Sequence, residues 1–399
     1  MKLFKTLRLA TKDYLHEWQV SICFVLALAA VLGPMLVLFG LKFGIIGGMI
    51  DELIEDPTNR EIRPVSSARF DDNWINQMRA RKDVEFILPR TRSIAATVQL
   101  SSDKADRFVN VEMIPTASGD PLLQKTSAPE TINQIVLSPT AARKLNIELG
   151  DQIKGSVSRR YLGEAERVEL PLTVVGIADA DAFTRDGAFV NLELMEAIEN
   201  YRDGIAVTQF KWSGSEAPLE RTYPSFRLFS RSIYDVAGLQ KALNAVGVEV
   251  RTKSSDIELV MKMDRNLTMV YWAIAIIGLF GFSLSLGASL WANVDRKRKE
   301  LSVLRLVGFR TGDIVWFPMT QAIYTAVLGW GLAIGLYQAV AITINTMMAD
   351  QTEGQSVCVL LPEHFAAAGV VTVLAAIISA ALSGARAARI APSDGLREI

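Results

Sequence analysis

Apolar residues gather into four long runs, and about 225 mostly polar residues separate the first run from the other three. Val20–Leu41 holds no charge until Lys42, with Pro34 marking a point where a helix could bend. The second run begins at Thr268, the third covers Val315 to Met348, and the fourth covers Phe365 to Leu382. A hydrocarbon layer roughly 30 Å thick takes about 20 apolar residues of helix, so the pattern predicts four crossings. One helix, a large polar domain and then three helices is a layout for transmission rather than for catalysis. The first run is too long for a cleaved signal peptide and has no A-x-A site at its end, so it is expected to be retained.

Lys and Arg in the short segments predict the orientation. Lys2, Lys5, Arg8 and Lys12 precede the first run; Arg296, Lys297, Arg298, Lys299, Arg305 and Arg310 lie between the second and third; Arg386, Arg389 and Arg397 follow the fourth. The segment Ala349–His364 has neither Lys nor Arg, only Asp350, Glu353 and Glu363. Both termini and the loop near residues 292–314 are therefore expected in the cytoplasm. Lys262 and Arg265 run against this locally, but long translocated domains are largely exempt from the bias. Ahead of the first run, Leu3, Leu7, Ala10, Tyr14 and Trp18 recur at helical spacing opposite the lysines and Arg8. That pattern predicts an amphipathic helix in the membrane interface, its basic face toward anionic lipid.

The polar stretch reads as a mixed α/β domain in two lobes. Strand patterns occur at Ser93–Leu100, Arg107–Ile114, Gln134–Leu137, Val168–Ile177, Ala206–Trp212 and Ser225–Phe229. Ser138-Pro139 predicts a capped helix to Leu145, and Ile233–Val246 a second helix ending at Gly247. With Ser225–Phe229 before it and Val248–Lys253 after it, the second helix forms a strand–helix–strand unit of the split βαβ kind.

Composition narrows the chemistry. Half of the residues are hydrophobic, the net charge is −1 and the mean hydropathy is +0.24, so no overall field argues for a nucleic-acid partner. Residues 43–267 carry 28 Lys/Arg against 33 Asp/Glu. Cys23 and Cys358 lie outside the polar domain, which is expected to be stable by packing alone. His16 and His364, the two histidines, sit near predicted membrane boundaries without a second ligand at metal spacing. Asp51-Glu52 and Asp71-Asp72 read as solvated surface, and no G-x-S-x-G, clustered His/Cys or G-x-x-x-x-G-K-[ST] occurs. No Asp, Glu, Lys, Arg or His interrupts the interior of a run, which argues against an ion or proton pathway. Small residues recur at four-residue spacing: Ala29 and Gly33 in the first run, Gly281, Ser285 and Ser289 in the second, Gly331 and Gly335 in the third, Ala376, Ala380 and Gly384 in the fourth. Such stripes suit close helix packing, within the chain or against another copy.

The segment from Arg296 to Ile314 resembles the signature of the MacB/FtsX-type ABC transporter permease family, with Glu300, Leu304-Arg305, Gly308 and Asp313-Ile314 at the motif positions. Ala385-Arg386, Arg389, Pro392 and Leu396-Arg397 resemble the family's ending, and Ile135–Asp151 its periplasmic core. The resemblance implies an α-helical membrane protein with four transmembrane helices and a large extracytoplasmic α/β domain between helices 1 and 2. The expected organisation is a cytoplasmic interfacial helix over 1–18, transmembrane helices over 19–42, 267–291, 315–348 and 365–383, and the extracytoplasmic domain over 43–266. A coupling helix over 292–314, an extracytoplasmic loop over 349–364 and a cytoplasmic tail over 384–399 complete it. The resemblance also implies a permease subunit, not an enzyme, in the bacterial inner membrane. It would carry no cofactor itself; ATP would bind a partner, a cytoplasmic P-loop ATPase. Family members that carry a fused ATPase have it before the first helix. With about 18 residues there, a separate ATPase polypeptide is expected. Arg298, Glu300, Leu301, Leu304, Arg305 and Gly308 would couple to that ATPase, their apolar stripe in its groove. Ala29, Gly33, Gly281, Ser285 and Ser289 would serve helix packing or a dimer with a second copy or related permease. Two functions fit: efflux of a periplasmic substrate through an adaptor and an outer-membrane channel, and Lol-like extraction of lipoproteins or lipids from the outer leaflet. A membrane-tethered sensor without an ATPase is the alternative from another class.

Overall fold

The computed structural model describes residues 2–93, 96–218, 220–296, 311–349 and 356–387. The chain divides into two compact units, residues 1–50 with 260–399, and residues 51–259.

The first unit is helical. Helix α1 spans Lys2–His16, α2 Trp18–Glu55, α7 Ser254–Arg296, α8 Thr311–Met348 and α9 Pro362–Ala387. Four of them, α2, α7, α8 and α9, are long and apolar enough to cross a membrane. Helices α2 and α7 have 38 and 43 residues, or about 57 and 65 Å at 1.5 Å per residue. Both outrun their apolar stretches, because the flanking polar residues keep good helix formers and carry no proline. Pro34 and Pro318 lie inside continuous helices, as apolar surroundings and neighbouring helices allow. Two buried clusters hold this unit. One joins Leu28 of α2, Phe282, Leu286 and Leu290 of α7, Ala322 and Ala326 of α8, and Ala376 and Ala380 of α9. The other joins Ala29 and Leu36 to Ala333, Tyr337 and Ala341, with Cys358 beside them. The alanines matter because helices in lipid associate through close backbone approach rather than through expulsion of water.

The second unit has two lobes. In one, β1 (Glu61–Pro64), α3 (Asp72–Arg79), β2 (Val84–Arg90), β9 (Ser225–Ser230), α6 (Val236–Ala245) and β10 (Val250–Arg251) build a four-stranded sheet of order β10-β1-β9-β2. Each neighbouring pair is antiparallel. The expected strand–helix–strand unit is β9-α6-β10, and its two strands are split by β1. With β1-α3-β2 interleaved, the lobe is a βαββαβ arrangement of the ferredoxin-like kind.

Between β2 and β9 the chain builds the second lobe, a closed barrel. Its strands are β3 (Thr97–Ser102), β4 (Ala105–Thr116), β5 (Gln134–Leu137), β6 (Gln152–Tyr161), β7 (Glu164–Ile177) and β8 (Gly187–Asn191), in the order β3-β4-β8-β5-β7-β6. Helices α4 (Pro139–Leu145) and α5 (Leu192–Arg202) pack Ala141, Ala142, Leu145, Leu194, Ile198 and Tyr201 into the barrel core. The Ser138-Pro139 start forms as the sequence predicts: Ser138 Oγ accepts from Ala141 N at 3.3 Å and from Gly187 N at 3.0 Å. The expected strand over Ala206–Trp212 does not form. Thr208–Phe210 makes a 3-10 turn with Lys211 at φ 57°, closed by a Val207–Trp212 bridge. Phe210 and Trp212 stack at 4.7 Å, and Trp212 meets Tyr201 at 4.9 Å. Here the apolar run covers the barrel core instead of joining a ladder.

The lobes share an apolar seam in which Phe86, Leu88 and Phe229 of the sheet meet Ile114, Leu122, Val136 and Phe189 of the barrel. At that seam Arg227 of β9 pairs with Asp120 at 2.8 Å, their side chains 3% and 0% exposed. Three rings, of Phe86, Phe189 and Phe229, lie within 6.0 Å of the guanidinium. The two connecting strands of chain are tied to a single helix, α5. Arg92, entering the barrel, bonds Glu199 and Asp203. Arg221, leaving it, bonds Glu199 at 2.6 Å, and Tyr223 OH donates to Glu196 at 2.6 Å. Burial, aided by that carboxylate, holds the Tyr223 phenol well above its ordinary pKa.

Candidate functional site

The expected coupling residues Arg298, Glu300, Leu301, Leu304, Arg305 and Gly308 lie outside the described residues. What surrounds them in sequence is described: α7 ends at Arg296 and α8 begins at Thr311.

Around these ends the helical unit carries a polar bracket centred on α1. Asp13 Oδ2 accepts from Gln321 Nε2 of α8 at 2.8 Å. Gln321 Oε1 in turn accepts from Asn293 Nδ2 of α7 at 3.3 Å. Arg296, the last residue of α7, donates to Glu17 Oε2 at 2.8 Å and to Asn293 Oδ1 at 3.2 Å. Thr11 and Tyr324 hydroxyls lie 2.9 Å apart, Tyr14 and Thr325 hydroxyls 3.2 Å apart, and the two tyrosine rings meet edge-on at 5.6 Å. Ala10 is fully buried, while Leu9, Leu15 and Trp18 stay exposed. The pattern of α1 and its junction with α2 therefore divides three ways: Ala10 and Tyr14 turn to α8, Leu9, Leu15 and Trp18 turn outward, and the polar positions Thr11, Asp13 and Glu17 carry the contacts. Hydropathy alone misses this, because Asp13 and Glu17 read as ordinary surface charges.

Of the small-residue stripes, some close inside the chain and some do not. Ala29 is 1% exposed, and a Cβ at Gly33 would touch Leu336 of α8 at 3.5 Å. Ala376 and Ala380 are fully buried. Gly281 has no neighbour within 4 Å of a built Cβ; Gly281 and Ser285 are exposed and Ser289 is half-buried. The Gly331 and Gly335 face of α8 is likewise open. The packed α8 glycine is Gly329, whose Cβ would fall 2.5 Å from Leu28.

Sequence reasoning also passed over Gly40 and Gly44, spaced four apart on α2. They receive a strap of chain, not a helix. A Cβ at Gly44 would sit 1.9 Å from the Val357 carbonyl oxygen, and one at Gly40 would sit 2.8 Å from Cys358 Sγ. Val359 N donates to Gly40 O at 3.1 Å. Asn345 of α8 grips the strap by both amide atoms, accepting from Cys358 N at 2.8 Å and donating to Cys358 O at 3.1 Å. Burial raises the Cys358 thiol above its ordinary pKa. His364 caps the start of α9, its Nδ1 accepting from Leu361 N at 3.1 Å.

Several buried polar side chains inside the helices are satisfied locally, while Thr268 Oγ1 of α7 is buried without a hydrogen-bond partner among the described residues. Thr320, Thr325, Thr372 and Ser379 each donate to the carbonyl four residues back, and Ser383 donates to Gly287 O at 3.0 Å. They join turns and helices rather than lining a route for ions.

Residues 272–392, from within α7 to beyond α9, match the FtsX-like permease C-terminal family. This is an FtsX-like permease domain. Its match covers α8, α9 and the segment between α7 and α8, and is consistent with a permease of the FtsX/MacB type. Four apolar helices with this domain point to a permease subunit of an ABC transporter in the inner membrane, a transport component rather than an enzyme. ABC permeases generally work with a cytoplasmic ATPase. No curated protein matches the chain.

Proposed function

We propose that this chain is a mechanotransmission permease: it carries motion from a separate cytoplasmic ATPase across the membrane to its extracytoplasmic domain. The observation that supports this most is the arrangement around the FtsX-like domain. The segment 297–310 joins α7 to α8, and both of these helices, of 43 and 38 residues, are far longer than a bilayer core requires. In this reading Arg298, Glu300, Leu301, Leu304, Arg305 and Gly308 seat the segment in an apolar groove of the ATPase, where the ATP is bound. Both termini are cytoplasmic, and residues 51–259 are extracytoplasmic, a MacB-like periplasmic domain.

The transport complex holds two permeases, a second copy or a related chain, against the outer face of α7. Met263, Val270, Ile277, Leu284 and Trp291 recur every seven residues there and are all exposed, with Gly281 and Ser285 beside them. A seven-residue repeat is the spacing at which two long helices keep one seam in contact. The two joined lobes of the inserted domain favour movement as one body. We assign the motion to export of a periplasmic substrate through an adaptor and an outer-membrane channel. Lol-like extraction of lipoproteins or lipids is the second reading, favoured by Thr320, Thr325, Thr372, Ser379 and Ser383, whose hydroxyls are spent on hydrogen bonds within and between the helices.

The test is the double substitution Glu300→Lys with Leu304→Asp in the complex reconstituted into liposomes. It forces charge into an apolar groove and should abolish the ATPase response to the permease while membrane insertion persists. Unchanged stimulation would overturn the coupling assignment and leave a membrane-tethered sensor as the better account.

A further inference from the structure

We infer that α1 is a second output of the coupling segment, and that Asp13, Glu17, Asn293, Arg296 and Gln321 are the positioning residues that deliver its motion to α2. This rests on the coupling reading above. The segment 297–310 is continuous with α7, so α7 receives any displacement directly. Helix α2, which leads into the inserted domain from the other side, has no covalent link to it. The bracket supplies one: Glu17 holds the last residue of α7, and Asp13 holds Gln321, which in turn holds Asn293.

Helix α1 then passes the displacement on, because only Glu17 separates it from α2. The junction is hydrogen-bonded throughout: Glu17 N donates to Asp13 O at 2.9 Å, Val20 N to Glu17 O at 3.1 Å, and Ser21 Oγ to Tyr14 O at 3.0 Å. A carboxylate and a buried amide at the edge of an apolar bundle are a poor choice for stability alone, since apolar side chains of similar size would pack there without loss of hydration. Their geometry does something that apolar packing does not. It fixes three helices at directional contacts, so α1 moves with both ends of the segment.

The test uses the full chain with its co-purified ATPase in liposomes of phosphatidylethanolamine and phosphatidylglycerol. Hydrogen exchange across α2 is compared with and without trapping by ADP and vanadate. Glu17→Arg should lose about three-quarters of the nucleotide-dependent exchange change in α2 while α7 keeps its own; Glu17→Arg with Arg296→Glu should regain at least about half of it, the signature of a direct pair. Gln321→Leu, which packs but cannot bond, should behave like Glu17→Arg. A full α2 response in both Glu17→Arg and Gln321→Leu would overturn the inference, as would loss in the singles without recovery in the exchanged pair. Leu304→Asp separates the two readings. If it abolishes the response of α2 and α7 while Glu17→Arg leaves α2 unaffected, coupling stands and the bracket fails. If Leu304→Asp changes neither helix, the coupling reading itself fails.

Discussion

Removing the Asp120 carboxylate should loosen the inserted domain about as much as truncating one of the buried phenylalanines at its seam. Asp120 accepts from Arg227 at 2.8 Å and 3.3 Å, from Thr116 Oγ1 at 2.8 Å and from Leu122 N at 3.0 Å. Arg227 retains only Pro115 O as an acceptor once that carboxylate is gone, and its side chain is 3% exposed. Breaking a buried pair by deleting one partner costs about 3–5 kcal/mol, because the surviving charge has lost both water and counter-charge. Asp120→Ala is therefore expected to destabilise by about 4 kcal/mol. For a unit of this size a kilocalorie moves the midpoint by about 2–4 °C, so the expected drop is roughly 8–16 °C. The assay is thermal melting of a soluble 51–259 fragment followed by circular dichroism. Asp120→Leu with Arg227→Met should recover roughly 2 kcal/mol or more of the loss, since it removes the stranded charge as well as its partner. A loss below about 1 kcal/mol in Asp120→Ala would refute the reasoning, for it would mean that the guanidinium finds water or another acceptor at the seam.

Three further outcomes are expected. Gly44→Ala places a methyl 1.9 Å from the Val357 carbonyl, so the strap must lift; Cys358, buried and shifted away from its reactive thiolate form, should go from resisting maleimide to labelling at least about tenfold faster. Equal labelling in the two proteins would show that the strap is not held by this contact. Ser138→Ala removes the acceptor for both Ala141 N and Gly187 N and should cost about 1–2 kcal/mol in the same fragment melt, whereas an unchanged midpoint would show the cap to be dispensable. Gly281→Leu with Ser285→Leu should leave the monomer intact, since a Cβ at Gly281 meets nothing within 4 Å and Ser285 is exposed, but should shift the detergent-solubilised complex toward single permeases in light scattering; an unchanged mass would make the open face of α7 lipid-facing only.

The parts of this fold that were legible in the sequence are those governed by local chemistry. Four apolar runs gave four helices because an unbroken run admits no other buried backbone solution in lipid. Ser138-Pro139 gave a cap, and the Ser225-to-Lys253 pattern gave a split βαβ unit. What stayed hidden depends on which face a residue presents. Gly329 and Gly331 are two positions apart on α8, yet one meets Leu28 and the other meets nothing; hydropathy treats them alike. Barrel closure was equally hidden, since β4-β8 and β5-β7 pair in parallel across long separations with no turn residue to announce them. Asp13, Glu17 and Gln321 had no signal at all, because a charged or amide side chain near a membrane edge looks the same whether it meets water or another helix.

The most direct test of the central claim is affinity purification of the tagged full chain from its native membranes in mild detergent, with identification of everything retained. A permease that transmits force is expected to bring with it a cytoplasmic P-loop ATPase whose hydrolysis responds to the permease, and to lose that response on Glu300→Lys with Leu304→Asp. An eluate without any ATPase, even after gentle cross-linking, would contradict the account, as would an ATPase indifferent to that double substitution.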